Sequence, residues 1–354
     1  TLHTPGHQPT RGCTGTAEPI HSAMRILITG ANGFVGRSAS ASFLAAGHEV
    51  VAQQRSAPAS SAGQPWLQLL QSDLSDSSAL RSAMRGCDAI VHTAARVHRL
   101  DDRDPSPLAA YRRTNTDLTV QLATMAAQCG VKRFVFLSSI KVHGEWTAPG
   151  HAFQAGDPAC ATDAYAISKQ EAEDGLRQVA RQTGLEVVIV RPPLVYGPGV
   201  KANFLRMMAW VDRGIPLPLG AINNRRSLVG LSNLTHFLEL CARHPAAGNQ
   251  TFLVSDGADV STTHLLRAIG QALGRPARLV PIPQPWLENS LRWIGQGALA
   301  QRLCADLAVD IEKNRQWLHW TPPMSLEEEL QRTAQAYKSH RAAHHAALES
   351  TDRT

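Results

Sequence analysis

The chain has 354 residues, 43% of them hydrophobic and 18% charged, with a formal net charge of +6. That length and apolar content support one large α/β unit or two lobes sharing a cleft. They exclude wholesale disorder, a collagen-like or coiled-coil rod and a disulfide-stapled mini-domain. No run approaches the ~18 consecutive apolar residues of a membrane-spanning helix, so no membrane insertion is expected.

Residues 1–23 carry Thr, Pro, Gly, His and Ser with almost no apolar periodicity and no apolar core of a secretory signal. They read as a disordered extension ahead of Met24, a candidate natural start. Arg25–Thr29 is then an apolar strand ending at a glycine turn, and Ser38–Ala46 has helical spacing and stops at Gly47. Glu49–Ala52, Asp88–His92, Arg133–Leu137 and Glu186–Val190 are further strand-length apolar runs. Helical patterns fill the gaps at Ser77–Arg85, Arg113–Gln128 and Ala166–Thr183. Strands separated by helices imply βαβ units, right-handed crossovers and a doubly wound parallel sheet of Rossmann type.

Proline and glycine punctuate the second half, where Thr251–Ser255 is one more strand candidate. The expected organisation is a dinucleotide-binding unit over 24–190 and a smaller, mixed substrate lobe over 191–336, with 251–255 returning to the main sheet. A polar, Ala-rich tail over 337–354 is expected to fray.

The glycine turn reads Gly30-Ala31-Asn32-Gly33-Phe34-Val35-Gly36, directly after a strand and opening a helix. The first glycine permits the turn, the second lets a pyrophosphate approach the backbone, and the third lets helix pack on strand. The helix N-terminus offers its free N–H groups to phosphate. Dinucleotide folds place an acid at the end of the second strand, but here Gln53-Gln54-Arg55 carries none. Gln54 can bond a ribose hydroxyl, whereas Arg55 suits a 2′-phosphate or is a solvated surface charge. The expected cofactor is therefore NAD or NADP, with NADP slightly preferred. Asp73-Leu74 either flanks the adenine or, through Asp73, caps the next helix.

Tyr165-Ala166-Ile167-Ser168-Lys169 puts a phenol and an ammonium four residues apart on one helix face. The ammonium, together with a cationic nicotinamide, is expected to lower the phenol pKa toward a working general acid–base. Ser138-Ser139 closes the preceding strand, where a hydroxyl faces the crevice in which open α/β sheets bind ligands.

Only six of the 35 basic residues are lysine, and the arginines are scattered, with aromatic residues at 5%. A nucleic-acid platform would need a basic stripe with interleaved rings, so none is expected. The six cysteines lie far apart with no C-x-x-C pair, which implies reduced thiols in a cytoplasmic setting. No zinc-type spacing appears, and no metal site is expected even among His340, His344 and His345.

Gly30-x-x-Gly33-x-x-Gly36, Ser139 and Tyr165-x-x-x-Lys169 resemble the extended short-chain dehydrogenase/reductase family, in its NAD-dependent epimerase/dehydratase branch. Val91-His92-Thr93-Ala94-Ala95, Asn115 and Arg191-Pro192-Pro193-Leu194-Val195-Tyr196-Gly197 support the resemblance, which runs from Met24 to about Arg332. Ser138–Val142, Gly199–Phe204 and Leu217–Gly220 are nearest to the C4 oxidoreductases for UDP-sugars of cell-envelope polysaccharide synthesis.

The resemblance implies that Tyr165 exchanges the proton with the sugar O4, that Lys169 bonds the nicotinamide ribose, and that Ser139 bonds O4. Ser138 would serve backbone shape. It implies cofactor contacts from Gly30, Asn32, Gly33, Phe34, Val35, Gly36, Thr93, Ala94 and Ala95. Asn203, Phe204 and Arg226 would hold the uridine diphosphate, Arg226 as a bidentate clamp. A homodimer built on two helices per subunit is also implied.

Departures are Leu194 in place of an amide, Gly230 where an aromatic or His is common, which widens the cleft, and Thr114 before Asn115. The expected activity is 4-keto reduction of a UDP-sugar, with UDP-hexose or UDP-N-acetylhexosamine 4-epimerisation as the alternative. Ile140-Lys141 after Ser139, where dehydratases carry an acidic pair, argues against dehydration. A non-catalytic dinucleotide sensor is the reading from another class, and the intact Ser139/Tyr165/Lys169 set argues against it.

Overall fold

A computed structural model describes residues 23–55, 67–97 and 106–351, with side chains to 343. The disordered extension expected over residues 1–23 lies, but for Ala23, outside the described residues.

The main sheet begins with β1 (Arg25–Thr29), α1 (Phe34–Ala45), β2 (Glu49–Gln54) and β3 (Leu67–Gln71). Next come α2 (Ser77–Met84), β4 (Ala89–His92), α3 (Pro107–Tyr111), α4 (Leu118–Gln128) and β5 (Arg133–Leu137). α5 (Ala164–Thr183) and β6 (Glu186–Arg191) complete the unit that carries the glycine turn. All seven strands run parallel in the order β3-β2-β1-β4-β5-β6-β9, where β9 is Thr251–Leu253. The order reverses between β1 and β4, so a crevice opens over the carboxyl ends of those strands.

Alternation along the strands decides which face each side chain meets. Ile26, Ile28, Val50 and Ala52 join one core cluster, while Leu27, Val51 and Ile90 join another on the opposite face. Both faces are apolar, which is why these strands read as unbroken hydrophobic runs. β3 escapes that reading. Its LQLLQ segment has no β-branched residue, and most of its side chains are exposed at the sheet edge.

The helix expected over Arg113–Gln128 is divided. Arg112–Asp117 is a π-helical segment between α3 and α4, a widened turn that often marks a functional site. α5 is closed at both ends: Asp163 accepts the Ala166 N–H at 2.7 Å, and Gly184 takes the left-handed conformation at the C-terminus.

A smaller lobe follows, with the short parallel pair β7 (Leu194–Tyr196) and β8 (Leu228–Gly230) flanking α6 (Ala202–Asp212). α7 (Leu231–Arg243) returns to pack Leu234, Phe237 and Leu238 on the sheet. Beyond β9 lie α8 (Thr262–Leu273), α9 (Gln284–Trp293), α10 (Gly297–Cys304), α11 (Glu312–Leu318) and α12 (Leu326–Thr351). Tyr196, Phe204, Met208, Leu266 and Ile269 form the lobe's own core, and Phe34 of the glycine turn packs against it.

Gly230 does not widen the cleft. A Cβ there would lie 2.9 Å from Glu329 Cγ, so the space is filled by α12. Its N–H donates to Asp256, which also accepts from Tyr196 Oη and Asn233 Nδ2, each at 2.8 Å.

Candidate active site

The glycine turn closes on itself at the head of the sheet. Gly33 N–H donates to the Gly30 carbonyl at 2.8 Å, and Gly30 has φ +69°. A Cβ on Gly36 would stand 2.2 Å from that carbonyl oxygen and 2.7 Å from Thr93 Oγ1. A Cβ on Gly30 would stand 2.8 Å from the Ala94 backbone. The turn and the loop after β4 are therefore pressed together, and only glycine fits. Thr93 Oγ1 donates to the Thr29 carbonyl at 2.7 Å, so its role is to hold β1 and β4 side by side.

Gln53 is a support that sequence reasoning missed. Its buried amide accepts the Gly30 N–H at 3.0 Å and donates to the Ser72 carbonyl at 2.7 Å, tying the turn to the end of β3. Next to it, Gln54 Nε2 and Ser72 Oγ are buried and have no hydrogen-bond partner among the described residues. Two unspent polar groups beside a cradle that rejects any Cβ fit the adenosine half of a dinucleotide.

Arg55 is exposed at the end of β2, within electrostatic reach of Asp73. Asp73 does not cap the next helix. It folds onto its own loop, accepting from Ser75 N–H at 2.9 Å and Ser75 Oγ at 2.7 Å, while Asp76 caps α2 through Ala79 N–H. Leu74 packs partly buried against the core, which leaves it a limited role beside an adenine.

Ser139 and Tyr165 come together beyond the carboxyl end of β5, and Lys169 lies against Phe136 of that strand and near His92 of β4. Tyr165 and Lys169 stand one turn apart on α5, and the Ser139 hydroxyl comes near enough to the Tyr165 phenol to favour the phenolate. In the chain alone burial pushes the phenol up to about 12, whereas the lowering expected from the sequence includes the charge of a nicotinamide. The same burial takes Lys169 down to about 7, opposed in part by the Glu173 charge. Lys169 Nζ lies 4.1 Å from the centre of the Phe136 ring. Desolvation is the dominant force on both groups. The cationic ring of an oxidised nicotinamide, were it bound beside Tyr165, would favour the phenolate.

Several supports were illegible in the sequence. Tyr111 sets its ring edge-on to Tyr165 at 6.2 Å. Asn115, in the π-helical segment, donates to Ser168 Oγ at 3.0 Å and accepts the Arg96 N–H at 2.7 Å, joining α5 to the loop after β4. Ser138 does more than shape backbone. Its hydroxyl donates at 2.6 Å to Glu173, which lies on α5 beyond Lys169 and also receives Arg191 Nε at 2.9 Å and Arg177 Nη2 at 3.0 Å. Arg191 in turn reaches His143 Nε2 at 2.6 Å.

On the substrate side the expectations divide. Phe204 is buried in the lobe core, stacked on Tyr196 at 5.3 Å, so its side chain does not face the cleft. Asn203 is exposed and accepts from its neighbour Arg206. Arg226 is half-buried and donates to the Ala305 carbonyl at 3.2 Å; burial holds its pKa down, so an anion would be a favourable partner. Arg225 is a surface group paired with Asp259. Lys141 is engaged by Asp163 at 2.7 Å and by Glu145, so it braces the start of α5. Lys201 is exposed just ahead of α6. Among the described residues no cluster of metal-binding side chains occurs.

Comparison with known proteins follows the same lines. The profile of the NAD dependent epimerase/dehydratase family matches residues 26–254. A UDP-glucose 4-epimerase of Vibrio cholerae is 42% identical over 327 residues, spanning 92% of this chain and 98% of that protein. The Bordetella bronchiseptica enzyme WbmG in complex with NAD superposes with a TM-score of 0.71 at 21% identity, covering 91% of this chain and 96% of that one. A Thermotoga maritima UDP-glucose 4-epimerase with UDP-glucose gives a TM-score of 0.71 at 20% identity, covering 90% and 99%.

Proposed function

The chain belongs to the NAD-dependent epimerase/dehydratase family, and on that footing we propose that it is a UDP-sugar 4-epimerase that works with tightly held NAD. The observation that carries this reading is the approach of Ser139 to Tyr165, with Lys169 one turn along the same helix, on a sheet whose first turn is a glycine cradle that admits no side chain. Relatives support epimerisation better than the 4-keto reduction favoured by the sequence. They also support NAD: WbmG is described with NAD, and none of the relatives reported above favours the NADP suggested by Arg55.

A bound nicotinamide supplies a hydride acceptor and, once reduced, a donor. Tyr165 takes the proton from the sugar O4 as C4 is oxidised and returns it when the ketone is reduced on its other face. Ser139 bonds the same oxygen and keeps it over the phenol. Lys169 holds the nicotinamide ribose and, when protonated, favours the phenolate. Arg226 anchors the diphosphate while the keto-sugar turns. Leu194, exposed where many epimerases carry an amide, removes one substrate contact those enzymes have.

The 4-ketoreductase is the second reading, favoured by the carboxylate-free end of β2, which suits a cofactor exchanged at each turnover. Purified protein incubated with UDP-glucose or UDP-N-acetylglucosamine and no added cofactor separates the two. Product NMR should show the C4 epimer; turnover only of a 4-keto sugar with added NAD(P)H would establish the reductase.

A further inference from the structure

A buried ammonium is ordinarily paired with a carboxylate or hydrogen-bonded to oxygen. Lys169 is enclosed between α5 and the sheet, yet among the described residues its Nζ makes no hydrogen bond. The contact the chain gives it is the face of the Phe136 ring, whose centre lies 4.1 Å from Nζ. That is well inside the ~6 Å over which a ring quadrupole attracts a cation, and burial strengthens the attraction.

Local structure puts the ring there. Alternation along β5 turns Phe134 and Phe136 to the α5 side, where both are fully buried with Ala172 and Leu176. Phe136 sits opposite His92 in the β4–β5 register, and the two rings lie 15° from parallel with centres 5.8 Å apart. His92 is hydrogen-bonded on both sides, to Thr29 Oγ1 at 2.6 Å and Thr119 Oγ1 at 2.9 Å, and burial holds it at about 3. It is therefore neutral and brings no charge to the ammonium. Tyr165 and Glu173 flank Lys169 one turn away on α5, and Glu173 is already engaged by Arg191 and Arg177.

We propose that Phe136 is a positioning residue for Lys169, its ring face holding the ammonium in the charged form at the crevice end of β5. The proposal rests on the reading of Lys169 as the group that bonds the nicotinamide ribose. A leucine or valine would fill the same core position, but only an aromatic ring presents a negative face to a cation. A carboxylate or carbonyl there would hold the charge too, and would compete for the same N–H donors. The ring attracts the charge without offering a lone pair, which leaves those donors to a ligand.

Phenylalanines carrying one, two or three ring fluorines, placed at position 136 of the full chain, nearly keep the shape and progressively drain the ring face of negative charge. The readout is the titration of Lys169 itself. The chain has six lysines, so carbon-13 labelling at Cε gives a short NMR spectrum in which the signal lost in Lys169→Met identifies the residue. At an unchanged melting temperature, the proton affinity of Lys169 should fall stepwise with fluorine number, about tenfold from phenylalanine to the trifluorinated ring. Phe136→Leu should lower it at least as far, and the Lys169 limb of the pH–rate profile should move by the same factor. A proton affinity independent of fluorine number would overturn the proposal, as would a fall confined to Phe136→Leu, which would assign the effect to packing. A stepwise fall in a protein that epimerises nothing would support the contact and overturn only the activity.

Discussion

Lys169 and Glu173 lie one turn apart on α5, both enclosed by protein, and the carboxylate favours the charged form of the buried ammonium. Burial alone would raise Glu173, but Arg191, Ser138 and Arg177 outweigh it and hold the carboxyl below its ordinary range. One side chain thus stabilises the fold and favours the charged form of a candidate catalytic group.

Glu173→Leu should destabilise the protein by about 3–5 kcal/mol, because Arg191 is left buried without its counter-charge. Chemical denaturation at neutral pH measures it. The native pKa is depressed, so the stabilisation is present above the unfolded carboxylate value of ~4.3 and is lost as pH falls through the native value. The wild type and Glu173→Leu should therefore converge in stability in acid and diverge above about pH 5.

Glu173→Gln keeps the shape and removes the charge. Lys169, already near 7, should titrate lower still, and the limb of the pH–rate profile that reports its protonated form should move to lower pH. A purely structural role for Glu173 would change stability and leave that limb in place.

Tyr165→Phe should cost at least roughly 10²–10⁴-fold in kcat with the dinucleotide affinity intact, since only the proton carrier is removed. Ultraviolet titration gives a second readout. In protein stripped of dinucleotide Tyr165 should contribute no phenolate below about pH 10, and oxidised NAD should bring that contribution to lower pH.

Gly36→Ala should abolish dinucleotide binding, because its Cβ has no room against the Gly30 carbonyl or Thr93. Gln53→Leu should act more mildly, costing about 1–3 kcal/mol by leaving the Gly30 N–H unpaired, and should weaken NAD binding as read by calorimetry.

The parts of this molecule that the sequence disclosed are those whose physics is local. Parallel strands buried on both faces appear as apolar runs, the glycine turn is a contiguous motif, and Tyr165 and Lys169 reveal their shared face by spacing alone. β3 was missed because an edge strand of Leu and Gln carries no β signature. Glu173 reads in the sequence as one more charge on an amphipathic helix; only the fold brings Ser138 and Arg191 onto it. Phe204 was assigned to the substrate by motif, yet lobe packing claims its ring. How deeply Tyr165 is buried, the largest influence on its phenol in the chain alone, is likewise a property that spacing does not encode.

In the proposed reaction a sugar C4 gives up and takes back the same hydrogen without leaving the cleft. UDP-glucose or UDP-N-acetylglucosamine deuterated at C4, incubated with the enzyme alone, should yield the C4 epimer with deuterium retained at that carbon. Protium at C4 of the product, or no epimer until external NAD(P)H is supplied, would contradict it.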